Sequence, residues 1–121
     1  MNTPTEDRAA VASFLLRYFL AFTVIWFGWN EIWSPGDWTV FVPSFLGLTQ
    51  DTATALVAVH GVLLCIIGLA LVLKYKVRIA SGLLALMFLE ITADLIISNG
   101  FSDIVVRDIG LMGMAIGLSI L

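Results

Sequence analysis

A chain of 121 residues that is 60% hydrophobic and only 12% charged, with a mean hydropathy of +1.04, is too apolar for a water-soluble domain and reads as an integral membrane protein. Its formal charge of −3 comes from nine acidic and six basic residues; no basic surface is gathered to hold nucleic acid, so the lipid bilayer is the expected partner and nucleic acid is excluded. The single cysteine, Cys65, lies in an apolar run with no second thiol for a disulfide or a redox pair.

Apolar runs near the ~20 residues needed to cross about 30 Å of hydrocarbon fall at 11–33, 52–73, 79–98 and 104–121. The expected fold is all-α: a single domain over residues 1–121, built as a bundle of four transmembrane helices. The first run follows Glu6, Asp7 and Arg8. It is too long for a signal peptide, lacks a small-residue cleavage site, and is read as a retained span. The loop after it, "SPGDWTVFVPSFLGLTQD", carries two prolines and the aromatic residues Trp38, Phe41 and Phe45, a composition suited to the headgroup level. Trp26, Trp29 and Trp33 are expected there as anchors, the last two also as walls of an apolar slot. Thr49 or Asp51 is placed to cap the second helix, and "SNG" (98–100) stops the third. Lys74, Lys76 and Arg78 crowd the loop between the second and third helices, whereas the first loop has no Lys or Arg. The positive-inside rule therefore puts that loop and both termini in the cytoplasm.

A rise of about 1.5 Å per residue from the cytoplasmic edge sets Glu90 at ~16 Å, Asp94 at ~22 Å, His60 at ~20 Å and Arg107 at ~21 Å. These four share one layer in the outer half, while Arg17 lies lower, at ~9 Å, and Glu31 near the outer edge is expected in solvent. An ionised group near the bilayer centre costs about 2.5–3.5 kcal/mol even on insertion scales, so the four should face one another. The expected pairs are Asp94 with Arg107, and Glu90 with Arg17 or His60. Gly110, Gly113 and Gly117 on the fourth helix, and Gly61, Cys65 and Gly68 on the second, form small-residue stripes of the kind that mark helix contacts. Asp108 is read as capping or solvating the start of the fourth helix. Glu90, Asp94 and His60 are candidates for proton handling, and together with Arg17 and Arg107 for ligand binding. The same residues would equally serve as an ion-pair network fixing helix register, Arg17 as a group reaching to the headgroups, and His60 as a packing residue. One histidine and one cysteine do not supply a zinc, haem or copper ligand set, so no metal is expected.

The segments "FLLRYFLAFTVIWFGWNEIW", "VRIASGLLALM" and "VVRDIGLMGMAIGL" resemble the DoxX family of small four-helix membrane proteins, over nearly the whole chain. Arg107-Asp108-x-Gly110-Leu111 is the most specific part of the resemblance, and Arg17 matches a basic position common in the family. The resemblance implies a component of the prokaryotic cell membrane tied to redox systems. The family's namesakes belong to a thiosulfate:quinone oxidoreductase and act with partner subunits, so a quinone and the subunits of a membrane redox complex are the implied cofactor and partners. The chain departs from the pattern in having Glu31 where many relatives carry lysine, and His60 where they carry an acid. Substrate is therefore not carried over. Three functions follow as expectations: a quinone-linked membrane subunit with a buried polar site in the outer half, a non-catalytic structural or assembly subunit, and a proton-coupled transporter acting as a homo-oligomer.

Overall fold

The computed structural model describes residues 3–121. Four α-helices follow one another, α1 (Pro4–Trp33), α2 (Gln50–Val72), α3 (Val77–Asn99) and α4 (Asp103–Ile120), with two 3-10 turns, Pro35–Phe41 and Ser44–Leu46, between the first two. The chain is all-helical, and α1, α2 and α3 are each long and apolar enough to cross a membrane. The shorter α4 carries Asp103, Arg107 and Asp108 in its first two turns. Large apolar side chains, among them Phe19, Phe22, Ile66 and Leu86, cover the outside, the reverse of a soluble domain and the mark of an integral membrane protein.

α1 begins seven residues before the apolar run that announces it. Thr3 accepts from the Glu6 backbone N–H while Glu6 accepts from the Thr3 N–H, both at 3.1 Å, and Pro4 occupies the first helical position. This capping box starts a helix wherever the hydropathy begins. Thr49 caps α2 by accepting from the Thr52 N–H, and Gly100, at φ +77°, ends α3. Between α2 and α3 the turn is made by Lys74 and Lys76 at φ +58° and +44°, a left-handed conformation that costs a side-chain-bearing residue roughly 1–2 kcal/mol.

α1 packs along α2 and α3 along α4, and the two hairpins meet less extensively. In lipid the apolar side chains gain nothing by leaving water, so association rests on close packing. α1 and α2 achieve it at Gly28 and Gly61: a Cβ on either would lie 2.6 Å from the other's carbonyl oxygen. Gly68 is likewise closed off by Ile25, so the small-residue stripe of α2 faces α1 as its sequence suggests. The stripe of α4 does not behave in this way. A methyl added at Gly110, Gly113 or Gly117 would meet nothing within 4 Å, and all three lie exposed, while Val105, Asp108, Leu111, Ala115 and Leu118 turn inward. Larger side chains fill the interior here, and the glycines are left on the outer face.

The bundle divides into two halves. At the end nearest the α2–α3 turn, Leu20 and Val24 of α1, Ile67 and Leu71 of α2, Leu84 of α3 and Ala115 and Leu118 of α4 form a continuous apolar core. At the other end the two hairpins separate, and the 3-10 turn Pro35–Phe41 folds across the gap against α2, with contacts to α1 and α3.

Candidate functional site: a carboxylate-rich cavity

Where the hairpins separate they enclose a cavity of about 610 Å³, within the size range of small-molecule sites. Val24, Leu64 and Phe88 floor it, Phe27, Trp38 and Phe41 form an aromatic wall, and Glu31, His60, Glu90, Asp94, Arg107 and Asp108 bring charge to it from all four helices. Trp38 links that wall, standing edge-on to Phe27 with ring centroids 5.9 Å apart and 6.0 Å from Phe41.

The centre of the site follows from the glycine crossing. Gly28 brings α1 against Gly61, so Glu31, three residues on and on the same helical face, lies beside His60. The His60 Nδ1 is 3.1 Å from Glu31 Oε1. A carboxylate only accepts, so Nδ1 carries the proton and donates. On the other side of the ring, Nε2 is 3.3 Å from Glu90 Oε2. That contact has ion-pair distance but falls off the line of a hydrogen bond, leaving Nε2 without a hydrogen-bond partner. One imidazole on α2 thus bridges carboxyls of α1 and α3. Asp94 lies one turn beyond Glu90 on the same cavity wall.

Arg107 and Asp108 form a second group. Nε and Nη2 of Arg107 both approach Asp108 Oδ1 at 3.1 Å, and the guanidinium lies over the Phe27 ring, 4.7 Å from its centroid. Asp108 is 2% exposed, and its second carboxyl oxygen has no hydrogen-bond partner.

His60, Glu90, Asp94 and Arg107 all line one cavity, but several pairings differ from expectation. Arg107 pairs with its neighbour Asp108 and not with Asp94, because the guanidinium folds back along its own helix onto Phe27. Asp108 is buried beside it instead of capping or solvating the helix start. Arg17 pairs with neither acid and lies outside the cavity: buried toward the opposite end, it donates from Nη1 to the Leu71 carbonyl at 3.2 Å, which also accepts from the Lys74 N–H at 3.3 Å in the last turn of α2. Glu31 is not in solvent; its side chain is 12% exposed and bonded to His60. Its position near a helix end hides it in the sequence, and the signal that could find it is the Gly28-x-x-Glu31 spacing set against His60-Gly61. Trp29 and Trp33 stack on each other with centroids 6.0 Å apart, exposed and outside the cavity, whose wall is built by Phe27, Trp38 and Phe41 instead.

Among the described residues no three His, Cys, Asp or Glu side chains converge as a metal site. No family model, curated protein or solved structure matches the chain.

Proposed function

We propose that this is a small-molecule-binding integral membrane protein in which α4 also spans the bilayer, with both termini on the cytoplasmic side of a prokaryotic cell membrane. Its particular reading is a DoxX-like, quinone-linked membrane subunit. The observation that carries this is the cavity itself: apolar and aromatic walls sized for a substituted ring, set against a Glu31–His60–Glu90 bridge that can move a proton between ring nitrogen and carboxyl.

A bound quinone supplies two-electron, two-proton redox chemistry. The chain's residues do the rest. Trp38 and Phe41 would flank the ring, with Phe27 behind Trp38, and the gap between the hairpins would leave room for an apolar tail. Asp94, Glu90 and His60 would hold and pass protons at its polar edge. Glu31 keeps the imidazole proton on Nδ1, directing Nε2 to the Glu90 side. Electrons would have to come from a partner subunit, since the chain holds no electron carrier of its own.

A second reading, a non-catalytic assembly subunit or homo-oligomer, draws support from the unpartnered glycine face of α4. The transporter reading is weakened by the apolar core closing the other half of the bundle, which would have to open for alternating access. The test is mass spectrometry of organic extracts from protein purified in mild detergent. Stoichiometric quinone that is absent from folded His60→Ala and Asp94→Asn variants would support the site, whereas a quinone-free protein would favour the assembly role.

A further inference from the structure

We infer that the end of the bundle opposite the cavity carries a site for the phosphate of an anionic phospholipid, built on Arg17 and the α2–α3 turn. The site stands whatever the cavity binds. Charge is divided unevenly between the two ends: five of the six basic residues, Arg8, Arg17, Lys74, Lys76 and Arg78, lie at this end, with only two of the nine acids, Glu6 and Asp7. Both acids stand at the start of α1, ten or more residues before Arg17 and so at least about 15 Å from it along the helix.

Arg17 lacks an anion. The residue is 8% exposed, its guanidinium is always charged, and among the described residues no carboxylate comes within ion-pair distance of it. Nη1 donates to the Leu71 carbonyl and Cζ lies 5.5 Å from the centroid of the Tyr18 ring, but Nε has no hydrogen-bond partner. These contacts are neutral, and a buried charge with no counter-ion is costly. The Leu71 carbonyl that holds Arg17 also accepts from the Lys74 N–H at 3.3 Å, so the guanidinium lies against the start of the turn. Lys74, Lys76 and Arg78 are exposed along it. Lys76 occupies the N-cap position of α3 and offers no accepting side chain, which leaves the first-turn N–H groups of a 23-residue helix open to an anion.

A phosphate diester meets all of these needs together. Its oxygens pair with the lysines and accept from the first turn of α3, and its charge compensates that of Arg17, which burial leaves weakly screened. The surroundings favour a phosphate that carries acyl chains. Leu73, Tyr75 and Ile79 alternate with the basic residues in the sequence and are 60–67% exposed, so apolar surface lies directly beside the charge. Basic pockets of this kind at the ends of membrane helices hold anionic headgroups.

The test is native mass spectrometry of the purified protein in neutral detergent, titrated with phosphatidylglycerol, with phosphatidylcholine of the same acyl chains, and with inorganic phosphate. Phosphatidylglycerol should bind about tenfold tighter than phosphatidylcholine, and inorganic phosphate far more weakly than either. Lys74→Gln combined with Lys76→Gln, both at exposed positions, should lose about tenfold of the phosphatidylglycerol affinity. Arg8→Gln removes an exposed charge at the same end but outside the site and should change it by less than about twofold. Arg17→Gln should abolish the preference between the two lipids. Equal binding of the two lipids, or a loss in the lysine variant no larger than in Arg8→Gln, would overturn the inference in favour of unspecific charge attraction. Inorganic phosphate bound as tightly as phosphatidylglycerol would overturn the lipid assignment in favour of a free anion.

Discussion

Gly61→Ala tests whether the glycine crossing positions the site. The added methyl would lie 2.6 Å from the Gly28 carbonyl oxygen and 2.8 Å from Glu31 Cβ, against the 3.4 Å at which ordinary contact begins. The first obstacle is backbone, which cannot rotate away, so α1 and α2 must separate locally by about 0.8 Å. Overpacking of this kind costs about 1–3 kcal/mol. The same displacement carries Glu31 away from His60 and stretches their 3.1 Å contact beyond hydrogen-bond length, which is about 3.5 Å at most. Thermal unfolding in detergent should show a lower midpoint, and ligand binding should weaken in parallel. Gly113→Ala, where a methyl meets nothing within 4 Å, is the matched control and should leave both unchanged. A Gly61→Ala protein as stable as the unaltered chain would refute the close crossing.

Arg107→Ala should destabilise by about 2 kcal/mol, less than for a fully buried pair because the guanidinium is 45% exposed, while Arg107→Ala combined with Asp108→Asn should recover most of the loss; additivity of the two in a denaturation cycle would argue against their coupling. Glu31→Ala, which strands the His60 Nδ1 donor, should cost about 1–3 kcal/mol, and Glu31→Gln clearly less, as measured by detergent unfolding. Lys76→Gly should stabilise by up to about 1 kcal/mol by relieving the positive φ at that residue; a lower midpoint would show that the lysine side chain matters more than its backbone strain.

The helices are legible in the sequence, α1, α2 and α3 because a span of apolar residues has one solution in a bilayer, and a comparable depth for His60, Glu90 and Asp94 follows from helical rise alone. Rotation about each helix axis is much less legible. In a chain this apolar the usual contrast between buried and exposed faces is nearly absent, so Gly110, Gly113 and Gly117 carry the same pattern as Gly61 and Gly68 and yet face outward. Partner choice is hidden for a related reason. A depth ranking allows Asp94 to meet Arg107, but Arg107 is claimed by the adjacent Asp108 and by Phe27. Glu31 escapes notice because helix ends in the sequence do not reveal that α2 extends past α1, as the Gly28–Gly61 register requires. The 3-10 turn over the cavity has no hydropathy signature at all.

The closed apolar half has an electrical consequence. Because low-dielectric material supports a steeper field than a polar, hydrated space, a voltage applied across the bilayer falls mainly over the layer of Leu20, Ile67, Leu71, Leu84 and Leu118. The charges around His60 then sit near the potential of the solution on the cavity's own side. A proton reaching Glu90 or Asp94 from that side would cross little of the membrane voltage, whereas one arriving from the other would have to traverse nearly all of it through leucine.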